Sequence, residues 1–237
     1  MSLFGFVHYA VIFCAIHQIL CCFIKKIKPM FSLIIIVLLP FSLWLFGMVW
    51  ARLIHYDYIT LKYKGFQGSF TIAHLSDLHL GVIYKRGFVE SVVEKVNKIN
   101  PDIVVITGDL MDGTVEIENW LEPFSNVKAP VYFITGNHEN LYGKEAALEK
   151  IKNSSLRYIG NDVIDIGKIN LIGVDYEYYN ITDRLDNIKH LFINSQKPNI
   201  LLYHKPKLYP KELTPYNIFL LLTGHTHGGQ MFPLQLV

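Results

Sequence analysis

Apolar and polar residues follow two regimes along this 237-residue chain. From Met30 to Ala51 the chain runs 22 residues without a charge, which meets the roughly 20 needed to cross a bilayer as a helix. Pro40 lies inside that run and marks a kink point, which lipid-embedded helices tolerate. Trp44 and Trp50, then Arg52 and Tyr56, suit an interfacial belt at its end. Residues 3–24 are also uncharged but carry His8, His17 and Gln18. They read as a second span, with a re-entrant or interfacial segment as the rival. No basic region precedes them and no small-residue cleavage site stands out, so a cleaved signal peptide does not fit.

From about residue 68 the pattern changes to short apolar runs alternating with amphipathic stretches. Phe70 to Leu75 alternates and predicts a strand. Lys85 to Asn100 places Phe88, Val92, Val96 and Ile99 at helical spacing, with Pro101 where a helix should stop. Ile103 to Thr107 and Val131 to Thr135 are continuous apolar runs and read as buried strands. Lys144 to Lys152 predicts a helix. Two short strands are expected near 162–166 and 169–174, joined by Gly167-Lys168, and further strands at Ile200 to Tyr203 and Ile218 to Thr223. No internal repeat appears. The expected division is a membrane anchor over 1–56 with spans near 3–24 and 30–51, a linker over 57–67, and an α/β domain over 68–237.

Charge sharpens the division. Residues 1–56 hold no Asp or Glu and only Lys25, Lys26, Lys28 and Arg52 as fixed cations. The remainder has 18 basic against 20 acidic residues, a net of −2, with no basic stripe that would call for nucleic acid. Lys25, Lys26 and Lys28 share the short loop between the apolar runs, which favours the cytoplasmic side for that loop. The polar domain is then expected on the extracytoplasmic face, whether one segment spans or two; Arg52, Lys62 and Lys64 after the span pull the other way. Cys14, Cys21 and Cys22 all lie in the anchor, so a disulfide framework in the polar domain is excluded.

The candidate chemistry sits at the ends of the predicted strands. Five segments recur there in order: Asp77-Leu78-His79, Gly108-Asp109, Gly136-Asn137-His138-Glu139, His204, and Gly224-His225-Thr226-His227. In open α/β sheets ligands gather beyond the carboxyl ends of strands, so the repeated placement points to one convergent site. Imidazole nitrogen with carboxylate and amide oxygen suits Mn, Fe, Zn or Co better than an all-oxygen Mg or Ca cage. Two such ions sharing a carboxylate suit hydrolysis of a phosphate ester, with a water between them ionised to hydroxide.

In this order and context the five segments resemble the calcineurin-like metallophosphoesterase superfamily, over about residues 68–232. The resemblance implies a two-sheet β-sandwich flanked by helices, here preceded by one or two transmembrane helices. It implies that Asp77, His79 and His227 bind one divalent ion, that Asp109 bridges, and that Asn137, His204 and His225 complete the second ion's shell. His138 resembles the histidine that acts on the leaving-group oxygen. Asp112 matches the carboxylate that orients it, with a simple turn residue before Gly113 as the competing reading. His74 reads as a core or supporting histidine. Lys85 and Arg86 read as a solvated helix start, with a phosphate headgroup as the alternative. Tyr176, Tyr178 and Tyr179 read equally as groove or loop aromatics, and Glu139 as a surface residue.

Gly113, where protein serine/threonine phosphatases of this superfamily carry a phosphate-holding arginine, argues against that branch. Ser76-Asp-Leu-His-Leu-Gly81 and Gly224-His-Thr-His-Gly-Gly-Gln230 look closer to the bacterial membrane-associated branch. Only ten residues follow His227, where relatives continue with further strands, so the chain reads as a fragment or a short form. The expectation is an inner-membrane-anchored hydrolase with two divalent ions, acting on phosphodiester or pyrophosphate bonds in a phosphorylated lipid, envelope or small-molecule substrate. A UDP-diacylglucosamine pyrophosphate hydrolase, which needs the domain to face the cytoplasm, and a non-catalytic metal-binding form are the alternatives.

Overall fold

The computed structural model describes residues 2–24, 27–50, 53–81, 83–113, 118–176, 181–192, 196–206 and 210–227. Lys25, Lys26, Arg52, Tyr178, Tyr179 and the stretch 228–237 lie outside the described residues. The chain forms two compact units, one over Met1–Thr60 and the other over Leu61–Gln230.

The first unit is built on two helices. Ser2–Phe23 is helical throughout, and the helix Pro29–Trp50 follows after the short loop. Gly5–Phe23 and Pro29–Trp50 are each long and apolar enough to cross a membrane by length and composition. They pack on each other through a Phe6–Trp44 edge contact, with ring centroids 6.2 Å apart, and through His17 Nε2 and Ser32 Oγ at 2.9 Å. Pro40 has no N–H to donate to the preceding turn. The helix accommodates it with a π-helical stretch, Ile34–Leu38, immediately upstream.

The second unit holds two four-stranded sheets. In the first, β1 (Ile72–Leu75), β2 (Ile103–Thr107), β3 (Val131–Ile134) and β4 (Arg157–Tyr158) lie parallel in that order. In the second, β5 (Asp162–Asp165) and β6 (Asn170–Val174) form an antiparallel hairpin. Strands β7 (Asn199–Tyr203) and β8 (Ile218–Leu222) then add in parallel. The helix between β1 and β2 runs Arg86–Ile99 and ends on Asn100, whose left-handed φ of 52° suits an asparagine C-cap. Strand-helix-strand order forces parallel pairing, because the chain must return along the sheet before adding the next strand.

Alternation sorts the faces. Ile103 and Val105 of β2, Tyr132 and Ile134 of β3, Leu171 of β6, and Ile200 and Leu202 of β7 meet in one buried cluster between the sheets. The intervening residues of the second sheet, Ile172, Val174, Leu201 and Tyr203, pack outward on Leu185, Phe192, Leu213 and Tyr216. Both faces of β2 and β7 are therefore buried, as their unbroken apolar runs require.

The predicted strands and the helices at 86–99 and 144–152 are present within one or two residues. Phe70 and Thr71 precede β1 rather than belonging to it. The two-residue β4 and the short helices Glu118–Leu121, Ile181–Ile188 and Pro210–Leu213 carry no periodic signal long enough to find.

Candidate metal centre

Every expected site residue among the strand-end segments falls just beyond β1, β2, β3, β7 or β8, at one end of the two sheets. Asp77 and His79 follow β1, Asp109 follows β2, Asn137 and His138 follow β3, His204 follows β7, and His225 and His227 follow β8. The loops are stitched by backbone bonds. Asp77 N–H donates to Gly108 O at 3.1 Å, His79 N–H to Asp109 O at 3.0 Å, and Gly224 N–H to His204 O at 3.0 Å.

These loops run at unusual dihedrals. Among the described residues eight non-glycines have positive φ: three are Asn, and the other five are Asp77, His79, Asp109, His225 and His227. The left-handed region costs a residue with a Cβ about 1–2 kcal/mol, and such strain persists where surrounding structure over-determines it, commonly at functional sites. Close approach adds a second constraint. A Cβ on Gly108 would lie 2.6 Å from Gly136 Cα, and a Cβ on Gly136 would strike the Asp109 carboxylate and backbone N.

The side chains converge in two groups that share Asp109. Asp77, His79, Asp109 and His227 form one; Asp109, His204 and His225 form the other, each with ligand atoms within 4.8 Å of one another. Asn137 Oδ1 completes the second, 3.0 Å from His204 Nε2 and 2.7 Å from His225 Nδ1. Two ligands held about 2.1 Å from one ion stand roughly 3.0 Å apart at a right angle and roughly 3.4 Å apart at a tetrahedral angle. The observed edges match. His79 Nε2 and His227 Nε2 are 3.0 Å apart, His227 Nε2 and Asp77 Oδ1 3.4 Å, His204 Nε2 and His225 Nδ1 3.3 Å, and His204 Nε2 and Asp109 Oδ2 3.3 Å.

The tautomers point the same way. His204 Nδ1 lies 2.7 Å from Thr107 O, so that nitrogen donates and Nε2 turns a lone pair toward Asn137 Oδ1 and Asp109. His79 Nδ1 lies 2.7 Å from Asp112 Oδ1, which leaves its Nε2 bare toward His227. An outer acceptor fixing the imidazole while its inner nitrogen faces other acceptors is the arrangement of metal-ligating histidines. Without a cation, these lone pairs and carboxylates would repel one another. The residues therefore fit a pair of divalent ions.

Electrostatics follows from the same packing. Burial pushes the Asp109 carboxyl up, but His204 and the His138 N–H at 2.9 Å outweigh it, and the net shift is down. Burial pulls His204 down, yet Asp109, the Thr107 carbonyl and Asp77 raise it overall. His225 is lowered, by burial first and then by His204, with a further push from Lys205. His227 is lowered by burial and by His79 and His138.

Asp112 is shared between two histidines. Its Oδ1 is hydrogen-bonded to His79 Nδ1, and it also lies 2.6 Å from His138 Nδ1, out of line for a hydrogen bond. The expected Asp112–His138 pairing is thus an electrostatic contact here, and the directed bond goes to His79. His138 itself is part-exposed, with its ring 4.5 Å from His79 and 5.8 Å from Tyr142.

One expectation needs correcting, and three further residues can be placed. Glu139 is not a surface residue: it is 1% exposed and accepts four backbone N–H groups. Its Oε2 takes Asp109 at 3.0 Å and Gly136 at 2.7 Å, while Oε1 takes Leu110 at 2.8 Å and Met111 at 3.0 Å. One carboxylate thereby ties the Asp109 loop to the Asn137 loop. Burial pushes its pKa up, with Asp109 adding to that push, and the N–H donors only partly oppose it. The available signal was its spacing, three residues after the Gly136 N-cap, where Glu reaches back to the cap N–H. Tyr176 is buried rather than a loop aromatic, with its ring 5.9 Å from His204 and 6.3 Å from His225. Arg86 is engaged by Glu90 at 2.9 Å and by Glu122. His74 supports rather than ligates, its Nε2 2.8 Å from Thr107 Oγ1.

A second buried carboxylate escaped the sequence reading. Asp175, just past β6, takes the Thr135 hydroxyl at 2.9 Å, the Tyr158 hydroxyl, and Lys144 Nζ at 2.6 Å. It joins the end of the second sheet to β3, β4 and the helix Lys144–Lys152.

Comparison with known proteins gives the same direction. The family model for calcineurin-like phosphoesterases matches residues 70–229. An uncharacterized metallophosphoesterase of Helicobacter pylori is 36% identical over 171 residues, covering 69% of this chain and 46% of that protein. A putative metallophosphoesterase of Caenorhabditis elegans is 36% identical over 190 residues, covering 73% and 39%. A transmembrane protein with metallophosphoesterase domain from Danio rerio is 33% identical over 180 residues, covering 69% and 41%. The chain spans about half the length, or less, of these relatives.

Proposed function

Because the chain belongs to the calcineurin-like phosphoesterase family, we propose that it is a membrane-anchored, two-metal phosphoesterase acting on phosphodiester or pyrophosphate bonds in membrane or envelope molecules. The observation that carries this reading is the pair of ligand groups meeting at Asp109. Asp77, His79 and His227 would hold one ion and Asn137, His204 and His225 the other, with Asp109 between them. The donor set favours Mn, Fe, Zn or Co. Such a pair, when bound, supplies Lewis acidity to the phosphoryl oxygens and a water nucleophile ionised near neutral pH.

The chain's own groups do the rest. The buried Asp109 stays ionised and ready to bridge. His138, whose Nδ1 lies 2.6 Å from Asp112 Oδ1, would give a proton from Nε2 to the departing oxygen. Glu139 holds the Asp109 and Asn137 loops at fixed separation. Two apolar helices and relatives named as transmembrane proteins support the anchor. The lysines of the loop between the helices favour an extracytoplasmic domain.

The test is hydrolysis of bis-p-nitrophenyl phosphate and p-nitrophenyl phosphate by detergent-purified protein, with Mn added or chelated. Turnover that needs metal and is abolished in Asp109→Asn is the expected result. Metal bound at full stoichiometry with no turnover of either ester would overturn the hydrolase reading.

A further inference from the structure

The segment Asp175-Tyr176 leans on all three ligands that belong to the second group alone. Asp175 is 1% exposed, and both of its oxygens are engaged. Oδ1 accepts the Thr135 N–H at 3.2 Å and the Thr135 hydroxyl at 2.9 Å, while Oδ2 meets the Tyr158 hydroxyl and Lys144 Nζ, the latter at 2.6 Å. Gly160 makes room for this meeting, since a Cβ there would strike both the Asp175 carboxylate and the Tyr158 hydroxyl.

Bonds run in both directions between the ends of β6 and β3. Tyr176 N–H donates back to Thr135 O at 3.3 Å, and Asn140 Nδ2 bridges the Gly136 and Tyr176 carbonyls at 3.0 Å each. Thr135 and Gly136 are the two residues before Asn137. Asn137 Oδ1 is therefore aimed by a stretch of chain that Asp175 holds from one side and Glu139 from the other. The Tyr176 ring lies 5.9 Å from His204 and 6.3 Å from His225, with the Lys205 ammonium 4.1 Å from its centroid.

The first group hangs on different supports. Asp77 is held through Gly108 O and the His225 N–H, and His79 through Asp109 O and Asp112. Those bonds come from the loops after β1, β2 and β8. A carboxylate as buried as Asp175 keeps its place only while its donors stay in line, because each unmet partner costs its full desolvation. The same condition fixes Thr135.

Resting on the two-metal reading, we propose that Asp175 is a positioning residue for the second ion. Through Thr135 it sets the aim of Asn137, and through Tyr176 the packing of His204 and His225. The ion held by Asp77, His79 and His227 does not depend on it.

The test uses the full chain, stripped of metal and titrated with Mn(II), comparing wild type with Asp175→Asn. Asparagine keeps the size of the side chain but sets an amino group against either Lys144 or the Thr135 N–H. Uptake is measured by equilibrium dialysis with elemental analysis, and coupling between the ions by electron paramagnetic resonance. His225→Ala and His227→Ala supply the signatures of an ion retained in the first and in the second group. Asp175→Asn is expected to weaken the second ion roughly 10–100-fold, as loss of an outer support of a metal ligand does, with the first ion within about twofold of wild type. The retained ion should give the His225→Ala signature. Equal weakening of both ions, an unchanged second ion, or a retained ion with the His227→Ala signature overturns the proposal. If Asp175→Asn fails to fold, Thr135→Val, which removes only the hydroxyl, should weaken the second ion and Thr135→Ser should restore it. A Thr135→Val protein that binds both ions as the wild type does then overturns the proposal. A wild type that takes up fewer than two ions overturns this proposal and the two-metal reading together. Two ions bound with neither ester turned over removes the hydrolase reading alone, and the variants still decide the positioning role.

Discussion

Replacing Glu139 by glutamine keeps its shape and changes one oxygen to an amino group. In the native fold each carboxylate oxygen accepts two backbone N–H groups, Asp109 and Gly136 on one, Leu110 and Met111 on the other. Whichever way the amide is turned, two buried N–H donors then face another donor. Each stranded donor costs about 1–3 kcal/mol, or about 2–6 kcal/mol for the pair. Part is offset, because the raised pKa of Glu139 shows that ionising it in place is itself costly. A net loss of about 2–4 kcal/mol is expected, which lowers Tm by about 6–12 °C for a domain of this size. The measurement is thermal unfolding by circular dichroism, with metal chelated in both proteins so that ion loss does not enter. Ion affinity is then measured separately and should fall, because the loops so tied carry Asp109 and Asn137. A Glu139→Gln protein within about 1 kcal/mol of wild type would refute the reasoning, since it would mean that water or a loop shift satisfies those donors.

Gly136→Ala puts a methyl group against the Asp109 carboxylate; it should cut bound metal from two ions to one or none per chain by elemental analysis, and unchanged stoichiometry would count against Asp109 as the bridge. Asp175→Ala leaves Lys144 facing a buried site without its counter-charge and strands the Thr135 N–H and hydroxyl. The expected loss is about 3–5 kcal/mol, read by urea unfolding of chelated protein. His138→Ala should retain metal and fold, within about 1 kcal/mol of wild type, while lowering kcat about 10²–10⁴-fold on an ester with a poor leaving group. A periplasm-active reporter fused at the C-terminus should be active if the domain faces outward, whereas a reporter that fluoresces only in the cytoplasm should be dark.

Much of the frame is local information. A 22-residue uncharged run is long enough to span a membrane, and strands buried on both faces announce themselves as unbroken apolar stretches such as Ile103 to Thr107. The ligand candidates were legible because strand ends are where a parallel α/β arrangement leaves its open loops, so Asp77, Asp109, Asn137, His204 and His225 could be assigned to one site before any distance was known. Tertiary structure alone decided the rest. Glu139 lies in a turn that looks exposed, and its burial comes from the neighbouring β2 loop closing over it. Tyr176 and Lys205 lie 29 residues apart in the chain and become a pair only because β6 and β7 are adjacent. The left-handed backbone of five candidate ligand residues occurs where loops from different strands are pressed together, at Gly108 against Gly136 and at Gly224 against Ser76 and Asp77, a crowding that no single segment encodes. Sequence pattern records what each residue prefers in its own segment; burial, strain and charge pairing depend on what the other segments bring to it.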